Sequence, residues 1–154
     1  MLTAGEVLDL IPQRPPFRFI DRLLEVDDRH AIGEYTYRND EFFYAGHFPG
    51  CPITPGVILI ETMGQTACAL GLYLLSLEAP DEDTHKLVMV GTELSFEFLR
   101  MVLPGETVRV TAEKVFWRKR KLKSRLELSL RDGTLVSQGT IGGVGVPRVE
   151  VGHI

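Results

Sequence analysis

Alternation of apolar and polar residues divides this chain into strand-like segments on either side of one long apolar stretch. A period of two residues is typical of half-buried strands. The predicted strands are residues 17–28, 30–37, 87–99, 106–117, 121–131 and 134–146. Pro104-Gly105 and Asp132-Gly133 supply turns between strands, and Asp-Gly between alternating segments is a strong hairpin signal. Residues 4–10 predict a short helix ahead of the first strand.

The apolar stretch in the middle of the chain predicts one long helix, from Pro55 to near Leu75. Thr54 suits the N-cap position and Pro55 suits the first helical position. Apolar residues occur all around this helix, so we expect it to be buried on every side. Glu61 and Gln65 interrupt the stretch, whereas a membrane span needs about 20 predominantly apolar residues. We therefore interpret the segment as a buried helix.

The order of these elements indicates the fold class. Two strands, one long helix and four strands follow one another along the chain. Segregated elements of this kind predict an α+β fold in which one antiparallel β-sheet wraps around a long central helix. A length of 154 residues fits one domain, and no repeat or low-complexity linker divides the chain. We expect residues 1–154 to form a single domain.

Composition and charge narrow the function classes. The chain has 44% hydrophobic and 25% charged residues, as soluble globular proteins do, and a net charge of −4 argues against a nucleic-acid-binding surface. The N-terminus carries Glu6 and Asp9 and does not resemble a signal peptide. Cys51 and Cys68 lack the CxxC spacing, which favours free thiols in a cytoplasmic protein. No histidines stand at metal-ligand spacing, so we expect no metal and no cofactor. The histidines to which we assign no role are His30, His85 and His153.

His47 and Glu61 are the candidate acid–base residues. Each alone has an ordinary explanation, because a loop histidine is commonly solvated and a helical glutamate can be a satisfied buried group. Together they flank the helix start at Thr54-Pro55-Gly56-Val57, where several backbone N–H groups lack helical acceptors and suit an oxyanion or thioester carbonyl. A base, an acid and polarising amides are what removal of a proton next to a carbonyl requires.

The residues around this pair carry a resemblance to a known family. The run from Gly46 to Val57, GHFPGCPITPGV, followed by Glu61 and Gln65, resembles the signature of β-hydroxyacyl-acyl-carrier-protein dehydratases of the FabA/FabZ type. The resemblance extends over about residues 6–146. Its other matching segments are Arg14-Pro15-Pro16-Phe17, Ile20-Asp21-Arg22, Phe43-Tyr44 and Val102-Leu103-Pro104-Gly105-Glu106.

This resemblance implies a hot-dog fold with active sites formed across a dimer interface. His47 would be the catalytic base and Glu61, from the partner subunit, would protonate the departing hydroxyl. Gln65 would hold Glu61, and the amides of Gly56 or Val57 would bind the thioester carbonyl. Phe48 and Pro55 would complete the substrate-binding residues.

The same resemblance implies the reaction and the partners. A glutamate rather than an aspartate at position 61 is similar to the FabZ branch, which dehydrates (3R)-hydroxyacyl-acyl-carrier-protein to the trans-2-enoyl form without efficient isomerisation. The partners would be acyl carrier protein and further copies of the chain, as a homodimer or a trimer of dimers. No nucleic acid and no membrane is expected.

Some features depart from the family pattern or leave alternatives open. Leu99 stands ahead of Arg100 where the family commonly has a basic residue, and the residues after Gly145 lie beyond the pattern. The helix residues expected to border an acyl tunnel are Thr62, Gly64, Thr66 and Cys68. The basic run from Lys114 to Arg125 is either a docking surface for an acidic carrier or a pair of solvated strands. A hot-dog acyl-thioesterase and a non-catalytic carrier-binding protein are the alternative functions.

Overall fold

Six antiparallel strands and two helices make up the computed structural model, which describes residues 1–148. His153 and the rest of the C-terminal tail lie outside the described residues. The elements in chain order are α1 (Ala4–Leu10), β1 (Arg22–Val26), β2 (His30–Thr36), α2 (Gly56–Glu78), a 3₁₀ turn (Thr84–Lys86), β3 (Leu87–Phe98), β4 (Thr107–Arg118), β5 (Lys121–Leu130) and β6 (Leu135–Pro147). The α+β class and the hot-dog arrangement predicted above are confirmed.

The sheet has the strand order β1-β2-β4-β5-β6-β3. Every one of its strands contacts α2, so the sheet curls around the helix. β3 is an edge strand that pairs with β6 alone among the described strands. Its residues from Gly91 to Ser95 are exposed. An exposed edge of this length presents unpaired backbone groups to another chain.

α2 is the core of the domain. Its residues from Gln65 to Leu75 are all buried, and the same core includes Leu126 and Leu128 of β5 and Val108 and Val110 of β4. α2 is long and apolar enough to cross a membrane by composition, but 78% of its most apolar window is buried inside the domain. This burial is that of a core helix.

The expectation that α2 is buried on every side is wrong for its first turns. Val57 is 72% exposed, and Ile60, Glu61 and Gly64 are partly exposed. These residues share one face at i, i+3 and i+4 spacing. The sheet therefore leaves a strip of the helix uncovered near its start.

The predicted cap of α2 is also wrong. Pro55 is the N-cap and no side chain caps the helix, which ends at Glu78 rather than near Leu75. The Thr54 hydroxyl instead bonds to the Tyr44 hydroxyl at 2.6 Å, and both residues are buried. A partner ten residues away thus takes the oxygen that would have capped the helix.

Strand β1 is shorter than the predicted segment 17–28. Residues 17–20 are not in the sheet and run alongside α2 instead, where the buried side chain of Gln65 bonds to their backbone. This segment carries Phe19, which is 1% exposed, into the core. The other five predicted strands agree with the structure to within one residue at each end.

Candidate active site

Gln65 holds Glu61 in a fixed position on α2. The Gln65 side chain is fully buried, and its Oε1 accepts a hydrogen bond from the Phe19 N–H at 2.7 Å. Its Nε2 donates to the Phe17 carbonyl at 2.9 Å and to Glu61 Oε1 at 3.0 Å. The two backbone partners fix the orientation of the amide, because an N–H must face the oxygen and a carbonyl must face the nitrogen. The remaining N–H is thereby directed at the carboxylate.

His47 is oriented by the loop that precedes α2. Its Nδ1 lies 2.8 Å from the Ile53 carbonyl oxygen, and the Ile53 N–H donates to the His47 carbonyl at 2.9 Å. A carbonyl only accepts, so Nδ1 carries the hydrogen and Nε2 keeps a lone pair for a proton. The ring stacks on Phe48 with centroids 4.3 Å apart. The imidazole therefore presents a basic nitrogen away from its own loop.

The start of α2 offers free backbone amides. The amides of Ile58 and Leu59 both donate to the Pro55 carbonyl. The amides of Gly56 and Val57 have no backbone acceptor within residues 1–148. A Cβ at Gly56 would lie 3.0 Å from the Phe98 ring, so glycine lets this ring cover the first turn. Such a terminus favours an oxygen that carries negative charge.

Glu61 lies in the wall of a cavity between α2 and the edge of the sheet. The cavity has a volume of roughly 180 Å³. Its helix side is formed by Ile60, Glu61, Gly64, Ala67 and Cys68, and its strand side includes Met89, Gly91, Leu94, Leu122 and Ile141. The wall is apolar apart from Glu61 and Gln13, as a binding site for an aliphatic chain requires.

Of the predicted site residues, Glu61 alone is in the cavity wall described here. His47, Phe48, Pro55, Gly56 and Val57 are not part of it, and Gln65 is buried behind Glu61. Pro55 is buried, whereas Phe48 is 52% exposed. Within residues 1–148 of one chain, Gln65 therefore contacts Glu61, but His47 does not line the cavity that Glu61 lines.

The expected tunnel residues are partly confirmed. Gly64 and Cys68 line the cavity, but Thr62 and Thr66 do not. The Thr62 hydroxyl bonds to Tyr37 and to the Ile58 carbonyl, and Thr66 lies against Gly33. Thr62 and Thr66 are four residues apart and share the face of α2 that is turned toward β2. Gly64 and Cys68 are also four residues apart but share a different face, the one at the cavity.

Met89 and Gln13 are among the cavity residues that the sequence did not indicate. Met89 of β3 lines the cavity, and so does Gln13, whose buried Oε1 has no hydrogen-bond partner within residues 1–148. Such an atom is unusual in a folded protein and leaves an acceptor free for a donor in the cavity. A lone glutamine among three prolines gives no pattern that would have indicated this position.

The Cys68 thiol is unsuited to act as a nucleophile. Cys68 is 6% exposed, and burial raises the pKa of its thiol to about 12. A thiol with such a pKa remains protonated near neutral pH. Cys51 in the loop before α2 is exposed, and both cysteines are free.

The basic run from Lys114 to Arg125 forms the β4–β5 hairpin. Its end lies near the C-terminus of α2, where Trp117 Nε1 donates to Glu78 at 2.6 Å and Arg120 pairs with Glu82. α2 has 23 residues, which is about 35 Å at 1.5 Å per residue. Within one chain the hairpin end is thus remote from the helix start, which favours solvated strands over docking at that chain's own site.

Comparison with known families adds a decisive observation. The model of the FabA-like domain matches residues 11–140. The chain belongs to this family. The match includes the loop of His47, the start of α2 and the Glu61–Gln65 pair.

Relatives of known name agree with the family. The chain is 39% identical over 143 residues to a 3-hydroxyacyl-acyl-carrier-protein dehydratase FabZ from Acetivibrio thermocellus, covering 92% of each protein. It is 36% identical over 140 residues to the protein of the same name from Herpetosiphon aurantiacus, covering 90% of this chain and 94% of that one. The FabZ-like character expected from Glu61 is confirmed.

Solved structures show the same fold at low identity. The dehydratase heterocomplex ApeI:P from Xenorhabdus doucetiae superposes with a TM-score of 0.71 at 16% identity, covering 94% of this chain and 93% of that one. A thioesterase from Haemophilus influenzae superposes with a TM-score of 0.69 at 12% identity, covering 99% and 96%. Both reactions thus occur on this fold, and the fold alone does not choose between them.

Proposed function

We propose that this chain is a 3-hydroxyacyl-acyl-carrier-protein dehydratase in which His47 and Glu61 carry out the two proton transfers. His47 Nε2 removes a proton from the carbon next to the thioester carbonyl. The bond between the β-carbon and the hydroxyl oxygen breaks, and Glu61 supplies the proton with which the hydroxyl leaves as water. The products are water and a trans-2-enoyl thioester.

The observation that carries this proposal is the fixed Glu61 carboxyl group in the wall of an apolar cavity. An acyl chain in that cavity would bring its β-carbon to Glu61. The Nδ1 contact of His47 to the Ile53 carbonyl supports the role of Nε2 as the base. The free amides of Gly56 and Val57 suit the thioester oxygen, on which charge develops when the α-proton leaves.

We propose further that each site is shared between two subunits of a homodimer. His47 is absent from the cavity of its own chain, so the base for that cavity must come from elsewhere. The exposed edge of β3 and the exposed apolar side chains near it suit an interface with a second copy. These side chains include Leu94, Phe98, Leu99 and Met101, with Val57 of α2. Either a closed dimer or a trimer of dimers would bury this surface.

Acyl carrier protein is the partner that we propose, since it is part of the name of both relatives described above. We also propose a cytoplasmic location, in keeping with two free thiols.

The test is direct conversion of a 3-hydroxyacyl thioester on acyl carrier protein, followed by the absorbance of the enoyl thioester. The proposal expects this absorbance to rise without release of free thiol. Release of free thiol without enoyl absorbance would identify a thioesterase instead.

A further inference from the structure

The cavity beside Glu61 extends along α2 toward Met89. Contacts between α2 and the sheet edge give its direction: Phe98 lies at Gly56, Ile141 at Gly64 and Met89 at Gly71. β3 therefore runs opposite to α2, and its earlier residues lie farther from the helix start. Cys68 is two turns beyond Glu61, about 10 Å along the axis at 1.5 Å per residue.

Met89 occupies the far end of this cavity. A Cβ at Gly71 would lie 2.7 Å from Met89 Cε and 2.9 Å from its Sδ. On the sheet side, a Cβ at Gly145 would lie 3.4 Å from Met89 Sδ, and one at Gly143 would lie 3.8 Å from its Cε. Three glycines, one on α2 and two on β6, thus leave room for a single thioether side chain.

The Met89 side chain is partly buried. Leu75, which is fully buried, lies beyond it and packs on Gly145. Met89 also lines the cavity, together with Cys68 and Gly91. Methionine is flexible, so a push from α2 or from β6 would move the thioether into the cavity rather than move the backbone.

We propose that Met89, seated on Gly71, Gly143 and Gly145, sets the longest acyl chain that this enzyme accepts. This inference rests on the proposed function, because it takes the cavity beside Glu61 as the acyl site. A chain that enters past Glu61 meets the Met89 thioether at the end of its path. Shortening this side chain lengthens the site, and displacing it toward Glu61 shortens the site.

The experiment measures kcat/KM for 3-hydroxyacyl thioesters of increasing chain length on acyl carrier protein, with the ratio of long to short substrates as the readout. Met89→Ala removes the three atoms beyond Cβ. We expect it to raise the ratio for chains two methylenes beyond the wild-type limit about tenfold, in line with the gain for burying two methylenes. Gly71→Ala should lower the ratio for the longest wild-type substrate by a similar factor.

The double variant Gly71→Ala/Met89→Ala separates this model from a general defect. Without the thioether there is nothing for the new methyl group to displace, so the double variant should recover the long-chain activity that Gly71→Ala loses. Val88→Ala is the matched control, since Val88 is the neighbouring residue on β3 and does not line the cavity. It should leave the ratio unchanged.

Each result decides one proposal. If folded Met89→Ala and Gly71→Ala proteins still dehydrate and keep the wild-type dependence on acyl-chain length, the role of Met89 is overturned while the proposed function stands. Absence of dehydration by the wild-type protein at every length would overturn the proposed function itself. If Met89→Ala does not fold, Gly71→Ala still tests the proposal, because alanine is favoured over glycine inside a helix.

Discussion

At Gln65, one buried amide makes three hydrogen bonds, to the backbone of Phe17 and Phe19 and to the Glu61 carboxylate. Replacement by leucine leaves the Phe19 N–H and the Phe17 carbonyl without partners. Each unsatisfied buried group costs about 1–3 kcal/mol. We expect Gln65→Leu to lower the free energy of unfolding by about 2–6 kcal/mol, as measured by urea denaturation.

The same substitution should also lower kcat, because Glu61 loses the group that orients it. Gln138→Leu is the matched control: Gln138 also donates to a carboxylate, that of Glu97, but on the surface of the sheet. Gln138→Leu should change the free energy of unfolding and kcat only slightly. A Gln65→Leu protein with wild-type stability and kcat would contradict the positioning role.

His47 and Glu61 are expected to act as one acid–base unit. His47→Ala would remove the proposed base, and Glu61→Gln would remove the proposed acid while keeping the shape of the side chain. General acid–base groups contribute roughly 10²–10⁴-fold each, and we expect losses of that size in kcat. Groups that act as a unit are not additive, so the double variant should be little worse than the poorer single one. Multiplied losses in the double variant would indicate independent roles.

The turn between β1 and β2 carries a cluster of charges around His30. His30 Nε2 lies 2.8 Å from Glu25, and its Nδ1 lies 3.1 Å from Asp27, while Glu113 faces it from β4. The hydrogen bond that His30 donates to the Glu25 carboxylate raises the pKa of His30 above its ordinary value, against a smaller opposing effect of burial. The folded state therefore holds this proton more tightly than the unfolded state.

The stability from His30 consequently depends on pH. It is fully present below the ordinary histidine pKa of about 6.5 and is lost as the pH rises through the higher folded-state pKa. We expect the difference in Tm between the wild type and His30→Gln to be larger at pH 6 than at pH 9. An equal difference at both pH values would show that protonated His30 contributes nothing.

The β4–β5 turn has two residues with positive φ, Lys119 at 52° and Arg120 at 63°. This geometry favours glycine or asparagine, and other residues pay a conformational cost there. Lys119→Asn should raise the free energy of unfolding by roughly 0.5–1 kcal/mol. Lys123→Asn is the control on the adjoining strand β5, and it should not raise the free energy of unfolding. If urea denaturation gives Lys119→Asn the same free energy of unfolding as the wild type, this turn geometry is contradicted.

These elements also show what the sequence could predict. Periodicity placed five strands and α2 closely, because each pattern is local. Residues 17–20 alternate like a strand but are held beside α2 by Gln65, a partner 46 residues away along the chain. Thr54 failed as an N-cap for the same reason, since Tyr44 takes its hydroxyl. The i, i+4 spacing was enough to join Gln65 to Glu61, whereas Met89 and Gln13 enter the cavity only through the tertiary fold.

At the scale of the whole molecule, the exposed edge of β3 and the incomplete cavity predict association. The chain has a mass of 17.3 kDa. Sedimentation equilibrium should give twice this mass or a larger even multiple, and the species should persist on dilution to the concentrations used in the assay. A monomer that retains full activity would contradict a site shared between subunits.

The central claim is that His47 of one subunit and Glu61 of another complete one dehydratase site. Co-expression of His47→Ala and Glu61→Gln chains with different affinity tags, followed by purification on both tags, yields hybrids without relying on subunit exchange. A hybrid dimer has one site with both groups and one with neither. We predict enoyl thioester formation at about half the wild-type rate per dimer, although each variant alone is nearly inactive. A doubly purified hybrid as inactive as its parents, beside an active wild-type protein prepared in the same way, would contradict the account.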